Sequence, residues 1–289
     1  MSIEGVMVGA DTMSADRLIE TCLRLESLGY RSVWIPDMYG REIYVTAGAI
    51  LGATTTLKVA SGIAHMYGRD PIASAQAGRT LSEFSGGRFI QGLGVSHPIA
   101  AEMRGLPWEN PVEKASGYLK AMRGETPLNI RASAESVPLY LAAHGPKMLG
   151  VAAEYADGAN IYMQLPEYMS FARQVLGAEK RLNVVLPCCL TDDPSVGRAA
   201  GRAALSIYLP LPAYQRQWAK QGFDVSDWSN GGSDRLVDAY VPWGNSLQLR
   251  ERMSDYLASG ASAVVLSPMP ADPRDPESRW ETLHALAPE

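Results

Sequence analysis

The sequence predicts an α/β fold in which eight parallel strands close into a single (β/α)8 barrel, with the helices outside. Runs of β-branched and small residues, typical of buried strands, alternate with helix-like stretches along the chain. Polar and glycine residues gather just after the strands, which is the edge where parallel α/β folds bind ligands. A length of 289 residues suits one such barrel. We therefore expect residues 1–289 to form a single domain.

Eight apolar runs predict the strands, because each is short and is bounded by glycine or polar residues. In chain order they are Ile3–Gly9, Ser32–Pro36, Lys58–Ala64, Arg88–Gly94, Pro138–Ala143, Gly158–Met163, Asn183–Leu190 and Ala261–Ser267. A strand, a crossover helix and a further strand imply parallel pairing. Repetition of this unit favours a barrel over an open doubly wound sheet.

Helix-like stretches separate these strands, and proline marks where most of them begin. Proline costs nothing in a first helical turn, because the N–H that it lacks would have no partner there. Such starts occur at Pro71, Pro111, Pro166, Pro194 and Pro276. A stripe of Leu18, Cys22 and Leu25 closed by Gly29, and the stretches Tyr44–Ala53 and Met148–Ala156, complete the set.

The stretch from Tyr208 to Trp243, between the seventh and eighth strands, is too long for a simple connection. It is rich in aromatic residues and is interrupted by Asn230-Gly231-Gly232. We expect an extra helical insertion over residues 208–243, near the barrel mouth. Two interpretations stay open: helices packed on the barrel, or a lid whose aromatic side chains line a site for an organic substrate.

Composition excludes several classes of partner. A net charge of −5 argues against nucleic acid, because phosphate binding needs a basic face. No run of 18 apolar residues occurs, so no membrane span is expected. Three cysteines without framework spacing fit a reducing cytoplasm. We expect a cytoplasmic protein whose partner is a small molecule.

The histidines are the candidates for proton transfer. His65 and His97 both follow predicted core strands, and imidazole is the side chain best suited to move protons near neutral pH. We favour His97 as proton donor over His65, with a structural or cofactor-contact role as the alternative for either. No pair of histidines has the helix spacing of a zinc site, so no metal is expected. The absence of a G-x-S-x-G elbow weakens a hydrolase interpretation.

The turn Gly145-Pro146-Lys147-Met148 opens a helix directly after the fifth predicted strand. The free N–H groups and the positive dipole end of a helix start suit a phosphate. Pro146 fixes φ at the helix start, and Gly145 lets the backbone come close to a ligand. We expect a cofactor phosphate to lie against the backbone of residues 145–148.

Three segments carry a family resemblance: GIAHMYGRDP, LSEFSGGRFIQGLGVSHP and VPLYLAAHGPKMLGVAAEYADG. They resemble the bacterial-luciferase-like superfamily, and within it the branch that uses the deazaflavin coenzyme F420. The similarity covers nearly the whole chain. It implies a luciferase-like TIM barrel, a homodimer, and cofactor and substrate bound at the C-terminal ends of the strands.

The resemblance also implies roles for individual residues. It places a non-prolyl cis peptide bond at Gly62–Ile63, in a bulge that backs the cofactor ring. It makes Asp37 a residue of the cofactor pocket, whereas the sequence pattern alone leaves a solvated or capping carboxylate. The expected cofactor-binding residues are Asp37, Ser61, Gly62, Ile63, Gly94, Ala142, Ala143, Gly145, Pro146, Lys147 and Met148.

The function that the resemblance implies is F420-dependent oxidoreduction, with hydride transferred between deazaflavin C5 and a small organic substrate. An FMN-dependent monooxygenase is the enzymatic alternative, since relatives bind FMN in the same place. A non-catalytic flavin or deazaflavin carrier is the alternative from another class. His97 and the aromatic segment favour an enzyme, because a carrier needs neither a proton donor nor a substrate pocket.

Overall fold

The computed structural model describes residues 3–124 and 136–288, and within them eight parallel strands close into a barrel. The barrel strands are β1 (Ile3–Met7), β2 (Ser32–Ile35), β3 (Lys58–Ser61), β5 (Phe89–Gly94), β6 (Leu139–Ala142), β7 (Gly158–Tyr162), β8 (Arg181–Leu190) and β10 (Ala263–Pro268). Two short strands lie outside this ring: β4 (Ala64–His65) pairs with β5, and β9 (Trp243–Gly244) pairs with β8. Strand β10 pairs with both β8 and β1, which closes the barrel. The predicted fold class is confirmed.

Thirteen α-helices lie in the described part of the chain. They are α1 (Ala15–Ser27), α2 (Ile43–Ala53), α3 (Pro71–Ser85), α4 (Pro98–Glu102), α5 (Pro111–Met122), α6 (Pro146–Tyr155), α7 (Pro166–Leu176), α8 (Pro194–Leu205), α9 (Pro212–Lys220), α10 (Val225–Trp228), α11 (Asp234–Tyr240), α12 (Ser246–Ala258) and α13 (Arg279–Ala285). Pro276 opens a short 3-10 helix instead, and α13 follows it. Side-chain caps fix several starts; Asp70, for example, accepts the N–H of Ala73 at 2.9 Å.

The third predicted strand differs from the prediction. The sequence pattern gave one strand over Lys58–Ala64, whereas β3 ends at Ser61 and pairing resumes only at Ala64. The Ser61 hydroxyl explains the break, because it donates to the carbonyl of Gly92 and accepts its N–H, both at 2.8 Å. A side chain thus takes over the bonds of the backbone ladder, and the chain bulges at Gly62-Ile63. The peptide bond between these two residues is cis, as the resemblance implied.

Large and small apolar side chains fill the barrel interior, so the barrel has a packed core. The buried members of this cluster are Trp34, Ala60, Ile90, Tyr140, Val185 and Val265. Trp34 and Tyr140 stack with ring centroids 6.3 Å apart. Asn183 donates to the Asn160 side chain at 3.1 Å, so the interior also holds a polar pair. These packed side chains support the strands from inside the barrel. They therefore help to fix the positions of the site residues, which follow the strand ends.

The residues predicted to form an insertion contain α9, α10 and α11 and end at β9. These helices bury an apolar cluster of their own, centred on Trp218. Its other buried members are Met163, Leu205, Leu209, Tyr214, Phe223, Leu236, Val237, Tyr240 and Val241. Met163 follows β7, so the cluster joins the insertion to the barrel. Among the helices of residues 3–124 and 136–288, none combines the length and the apolar character needed to span a bilayer.

Glycine is required at position 92, because the barrel leaves no room for a side chain there. A Cβ atom on Gly92 would lie 2.1 Å from the carbonyl oxygen of Ser61, which is backbone and has little freedom to move. We expect Gly92→Ala to lower the free energy of unfolding by about 3 kcal/mol, the cost of overpacking a core site. Urea unfolding followed by circular dichroism measures this change.

Gly117→Ala is the matched control, since Gly117 is exposed in α5 and a Cβ atom there would meet nothing within 4 Å. Alanine at that position should raise stability by about 0.5–1 kcal/mol through its better helix propensity. Equal stability of Gly92→Ala and the parent chain would contradict the close strand contact.

Candidate functional site

The C-terminal ends of neighbouring strands bring the predicted site residues to one edge of the barrel. Asp37 follows β2, the Gly62-Ile63 bulge follows β3, His97 follows β5, and His144 follows β6. Adjacent parallel strands end at the same edge, so residues far apart in the chain meet there. The site consists of a floor, a rim of histidines, and a roof contributed by the insertion.

The floor is apolar and is built around Gly94. A Cβ atom on Gly94 would lie 2.6 Å from Cδ1 of Ile63 and 3.2 Å from Cβ of Ala142. Glycine therefore lets the Ile63 side chain settle between β5 and β6. Ile63 and Ala142 are half-buried, whereas Gly94 is buried beneath them. The surface so formed carries no charge and suits a flat ring.

Asp37 holds the bulge from the other side. One of its carboxylate oxygens accepts the backbone N–H of His65 at 3.0 Å, and its own N–H donates to the carbonyl of Ile63 at 3.2 Å. The carboxylate thus bonds a distant strand, a role that differs from the solvated or capping carboxylate suggested by the sequence pattern. Asp37 also lines a cavity of about 430 Å³ together with His65 and Arg104, and its role in a cofactor pocket stays a prediction.

Three histidines lie at the rim, and burial lowers the pKa of each. For His65, burial lowers the pKa most; Asp37 acts in the opposite sense, and Arg104 and His97 lower it further. The pKa of His97 falls through burial. Burial and the proximity of His97 lower the pKa of His144 to about 4. A lowered pKa favours the uncharged form of all three imidazoles near neutral pH, so each has a ring nitrogen free to accept a hydrogen bond or a proton, although each is a weaker base than a free imidazole.

Tyr214 from helix α9 completes the roof over two of these histidines. Its ring centroid lies 6.0 Å from that of His97 and 5.7 Å from that of His144. Tyr208 follows at 4.8 Å from Tyr214, and Tyr162 at the end of β7 lies 5.2 Å from Tyr208. The insertion thus reaches the histidines with aromatic side chains, which favours the second of its two interpretations.

The turn predicted to bind phosphate has the expected backbone. Gly145 is the N-cap of α6, and Pro146 is its first residue, two positions before the predicted start at Met148. The N–H groups of Lys147 and Met148 lie in the first turn, where no intrahelical partner exists. Lys147 is exposed, so its ammonium group lies in solvent. Gly145 has φ −130°, a conformation that any residue can adopt, and nothing lies within 4 Å of the point where its Cβ would stand. Glycine therefore serves here by letting a ligand come close to the backbone.

Two buried ring nitrogens at the rim have no hydrogen-bond partner in the described part of the chain: Nδ1 of His65 and Nδ1 of His144. Buried polar atoms are normally paired, so these two nitrogens indicate contacts with a bound molecule or water. No group of three His, Cys, Asp or Glu side chains within residues 3–124 and 136–288 is placed to hold a metal ion. The arrangement supports acid–base chemistry beside a flat organic ligand.

The sequence pattern missed three residues of this site. Tyr162 was read only as the end of a strand, and Arg104 follows a short helix without a recognisable motif. Tyr214 is one of the aromatic residues of the insertion, and nothing in the sequence pattern indicates its contact with the histidines. Aromatic enrichment of the insertion was the one available signal, and it did not identify which ring faces the site.

The model of the luciferase-like monooxygenase family matches residues 2–263 of the chain. A 5,10-methylenetetrahydromethanopterin reductase of Archaeoglobus fulgidus is 29% identical over 284 residues, which cover 83% of this chain and 86% of the relative. A coenzyme F420-dependent tetrahydromethanopterin reductase of Methanopyrus kandleri has a similar structure, with a TM-score of 0.77 and 17% identity over 100% of this chain and 98% of that one.

A second solved structure is the oxygenating constituent of 3,6-diketocamphane monooxygenase of Pseudomonas putida, a type II Baeyer–Villiger monooxygenase in complex with FMN. It matches with a TM-score of 0.74 and 15% identity over 100% of this chain and 98% of that one. At such identities the two structural matches speak to the fold alone. The same fold therefore occurs in an F420-dependent reductase and in an FMN-containing monooxygenase.

The lowered pKa of His144 predicts acid-sensitive stability. Its folded pKa of about 4 lies below the ordinary value of 6.5, so the unfolded chain binds the extra proton first. The contribution of His144 to the free energy of unfolding is fully present above pH 6.5 and is lost as the pH falls towards 4. We expect the loss to be on the order of 2 kcal/mol, after allowance for the partly accessible ring.

His144→Gln removes the titrating group, so the free energy of unfolding should depend less on pH between 6.5 and 4. Urea unfolding at several pH values measures the slope. His284→Gln serves as the control, since His284 hydrogen-bonds Arg24 on another helix. An unchanged slope in the His144 variant would contradict the shifted pKa.

Proposed function

The chain belongs to the luciferase-like monooxygenase family, and from this premise we propose that it is a coenzyme F420-dependent oxidoreductase. In this proposal it transfers a hydride between C5 of the deazaflavin and a small organic substrate. Membership confirms the resemblance found in the sequence motifs. Similarity to a putative coenzyme F420-dependent oxidoreductase of Mycobacterium tuberculosis, 24% identical over 84% of this chain and 88% of the relative, supports the choice of F420.

The observation that carries the proposal is the uncharged floor of Ile63, Gly94 and Ala142 beside uncharged His65 and His97. A flat ring on this floor would have an apolar support on one face. Proton-exchanging side chains would then lie at its edge. Hydride chemistry needs that combination, since the protein's share is to orient the ring, handle one proton and exclude water.

The residues present fit a deazaflavin. The floor would hold the ring system and the backbone of residues 145–148 would take the phosphate, while Asp37 and Ser61 fix the bulge through their hydrogen bonds. The unpartnered Nδ1 of His144 would be available to hydrogen-bond a polar group of the bound molecule. When bound, the deazaflavin supplies the hydride at its C5 carbon.

His97 handles the proton in this proposal. Its uncharged form dominates near neutral pH, so it accepts a proton when the substrate is oxidised and returns it in the reverse direction. The Tyr214 ring lies beside the imidazole, with the two ring centroids 6.0 Å apart. His65 is the second candidate, next to the cavity beyond β4.

An FMN-dependent monooxygenase is the second candidate function, because the FMN-containing Pseudomonas enzyme shares the fold. The phosphate turn serves either cofactor equally. A non-catalytic carrier is the weaker alternative, since neither the histidine rim nor the aromatic roof would have a purpose in it. A homodimer and a cytoplasmic location stay predictions from the resemblance and from cysteine usage.

Parallel titration of the purified chain with F420 and FMN tests the cofactor assignment. We expect saturable binding of F420 and weaker binding of FMN. The change in cofactor fluorescence measures the binding of each. Micromolar or tighter FMN binding without a saturable F420 signal would move the assignment to the monooxygenase.

His97→Ala tests the proton-transfer role. We expect turnover to fall roughly 10²-fold or more, the range for loss of a general acid or base, while F420 affinity stays nearly unchanged. The assay follows F420 absorbance with a substrate found by screening alcohols and carbonyl compounds, and His284→Ala is the control. Turnover of the His97 variant within a few-fold of the parent would return this residue to a structural role.

A further inference from the structure

The cavity beyond β2 and β4 has a chemical character different from that of the floor. Its volume is about 430 Å³, within the range of small-molecule pockets. Its lining includes His65 and Asp37 on the side of the site, and Tyr39, Met103 and Arg104 on the outer side. The cavity therefore connects a proton-exchanging histidine to a cationic rim.

Arg104 forms no ion pair in the described part of the chain, although the Asp37 carboxylate is close to it: Oδ2 of Asp37 lies 3.9 Å from the point where a Cβ of Gly68 would stand. Its Nη1 donates to the carbonyl of Ala100 at 2.9 Å, and it forms none of the ion pairs seen among residues 3–124 and 136–288. Its Nη2 lies 3.7 Å from the point where a Cβ of Gly68 would stand, so the missing side chain leaves this end of the guanidinium accessible. Arginine with free N–H groups is suited to bind a carboxylate through two parallel hydrogen bonds.

The other charged groups of the cavity are already engaged. Glu42 accepts Nε of Arg69 at 3.0 Å and the N–H of Val45 at 2.8 Å. Arg41 donates to the carbonyls of Ala10 and Met13. Asp37 accepts the N–H of His65, as described above. Three guanidinium groups and two carboxylates line the cavity, so the lining has an excess positive charge. Arg69 is paired with Glu42, Arg41 makes two hydrogen bonds to backbone carbonyls and Arg104 makes one, so Arg104 keeps the most N–H groups for a ligand.

Apolar groups flank Arg104. The Tyr39 ring lies 5.8 Å from the guanidinium carbon and 6.3 Å from the His65 ring, which it meets nearly edge-on. Met103 and Tyr44 add further apolar surface to the lining. The space between Arg104 and His65 is thus bordered by an aromatic side chain, which suits the carbon body of an organic acid.

We propose that this cavity is a substrate subsite in which Arg104 binds a carboxylate, so that the substrate is an organic acid with an apolar or aromatic body. The inference rests on the proposed function, because it places the body of the acid beside His65 at the reacting edge. Arg104 acts here as a specificity-determining residue. The carboxylates at the end of the F420 side chain are a second source of the same chemistry, and the experiment below separates the two.

Isothermal titration with acetate, hexanoate, benzoate and phenylacetate tests the subsite, both in F420-saturated and in cofactor-free protein. We expect at least one of these acids to bind, and Arg104→Ala to weaken it 10-fold or more. Arg104→Lys should weaken it less, because charge remains while the paired hydrogen bonds are lost. Benzyl alcohol, which has no charge, should show no dependence on Arg104.

Arg79→Ala on α3 is the matched control, since Arg79 lies outside the cavity lining. Carboxylate binding should be unchanged in this variant, and circular dichroism checks the fold of each. Absence of any Arg104-dependent binding across the four acids would overturn the proposal.

Titration with F420 and with the deazaflavin riboside that lacks phosphate and side chain separates the two sources. We expect Arg104→Ala to leave both affinities unchanged. A loss confined to F420 would show that Arg104 holds the cofactor side chain, and would overturn the substrate subsite. Arg104-dependent acid binding by a chain that binds no F420 would support the subsite and remove only the oxidoreductase assignment.

Discussion

Parallel closure of the barrel is the constraint on which the rest of the structure depends. All the barrel strands run parallel, and β10 closes the ring by pairing with both β8 and β1. The C-terminal ends of the strands therefore lie at one edge, and each following loop brings its side chains there. The edge is held locally by Ser61, whose hydroxyl makes two hydrogen bonds to the Gly92 peptide. Gly92 has no side chain to prevent this contact. The bulge, the floor and the position of His65 all follow from that arrangement.

Desolvation shapes the chemistry of the edge. It keeps the rim histidines uncharged, so the part of the site above the floor carries no net charge near neutral pH. The outer cavity is cationic, since three arginines and two carboxylates line it, and Arg104 forms no ion pair among residues 3–124 and 136–288. The site therefore divides into an apolar region suited to a flat cofactor and a cationic region suited to an acidic substrate. An orientation for the substrate follows from this division.

Local chemistry is what the sequence made predictable. Proline at a first turn and aspartate at an N-cap act over three or four residues, so the start of α3 was readable directly. Contacts between distant segments were not. The packing of Tyr214 near His97 depends on how the insertion folds back, and the break after Ser61 depends on its register against Gly92. The unused N–H groups of Arg104 can be recognised only when the hydrogen-bond partners of Arg41 and Arg69 are known.

The location of a bound deazaflavin tests the central claim most directly. A crystal structure of the chain with F420 should show the ring over Ile63 and Ala142, with an edge towards His97 or His65. The phosphate should lie within hydrogen-bond distance of the backbone N–H groups of Lys147 and Met148. A ring at another face of the barrel, or a phosphate away from residues 145–148, would contradict the account.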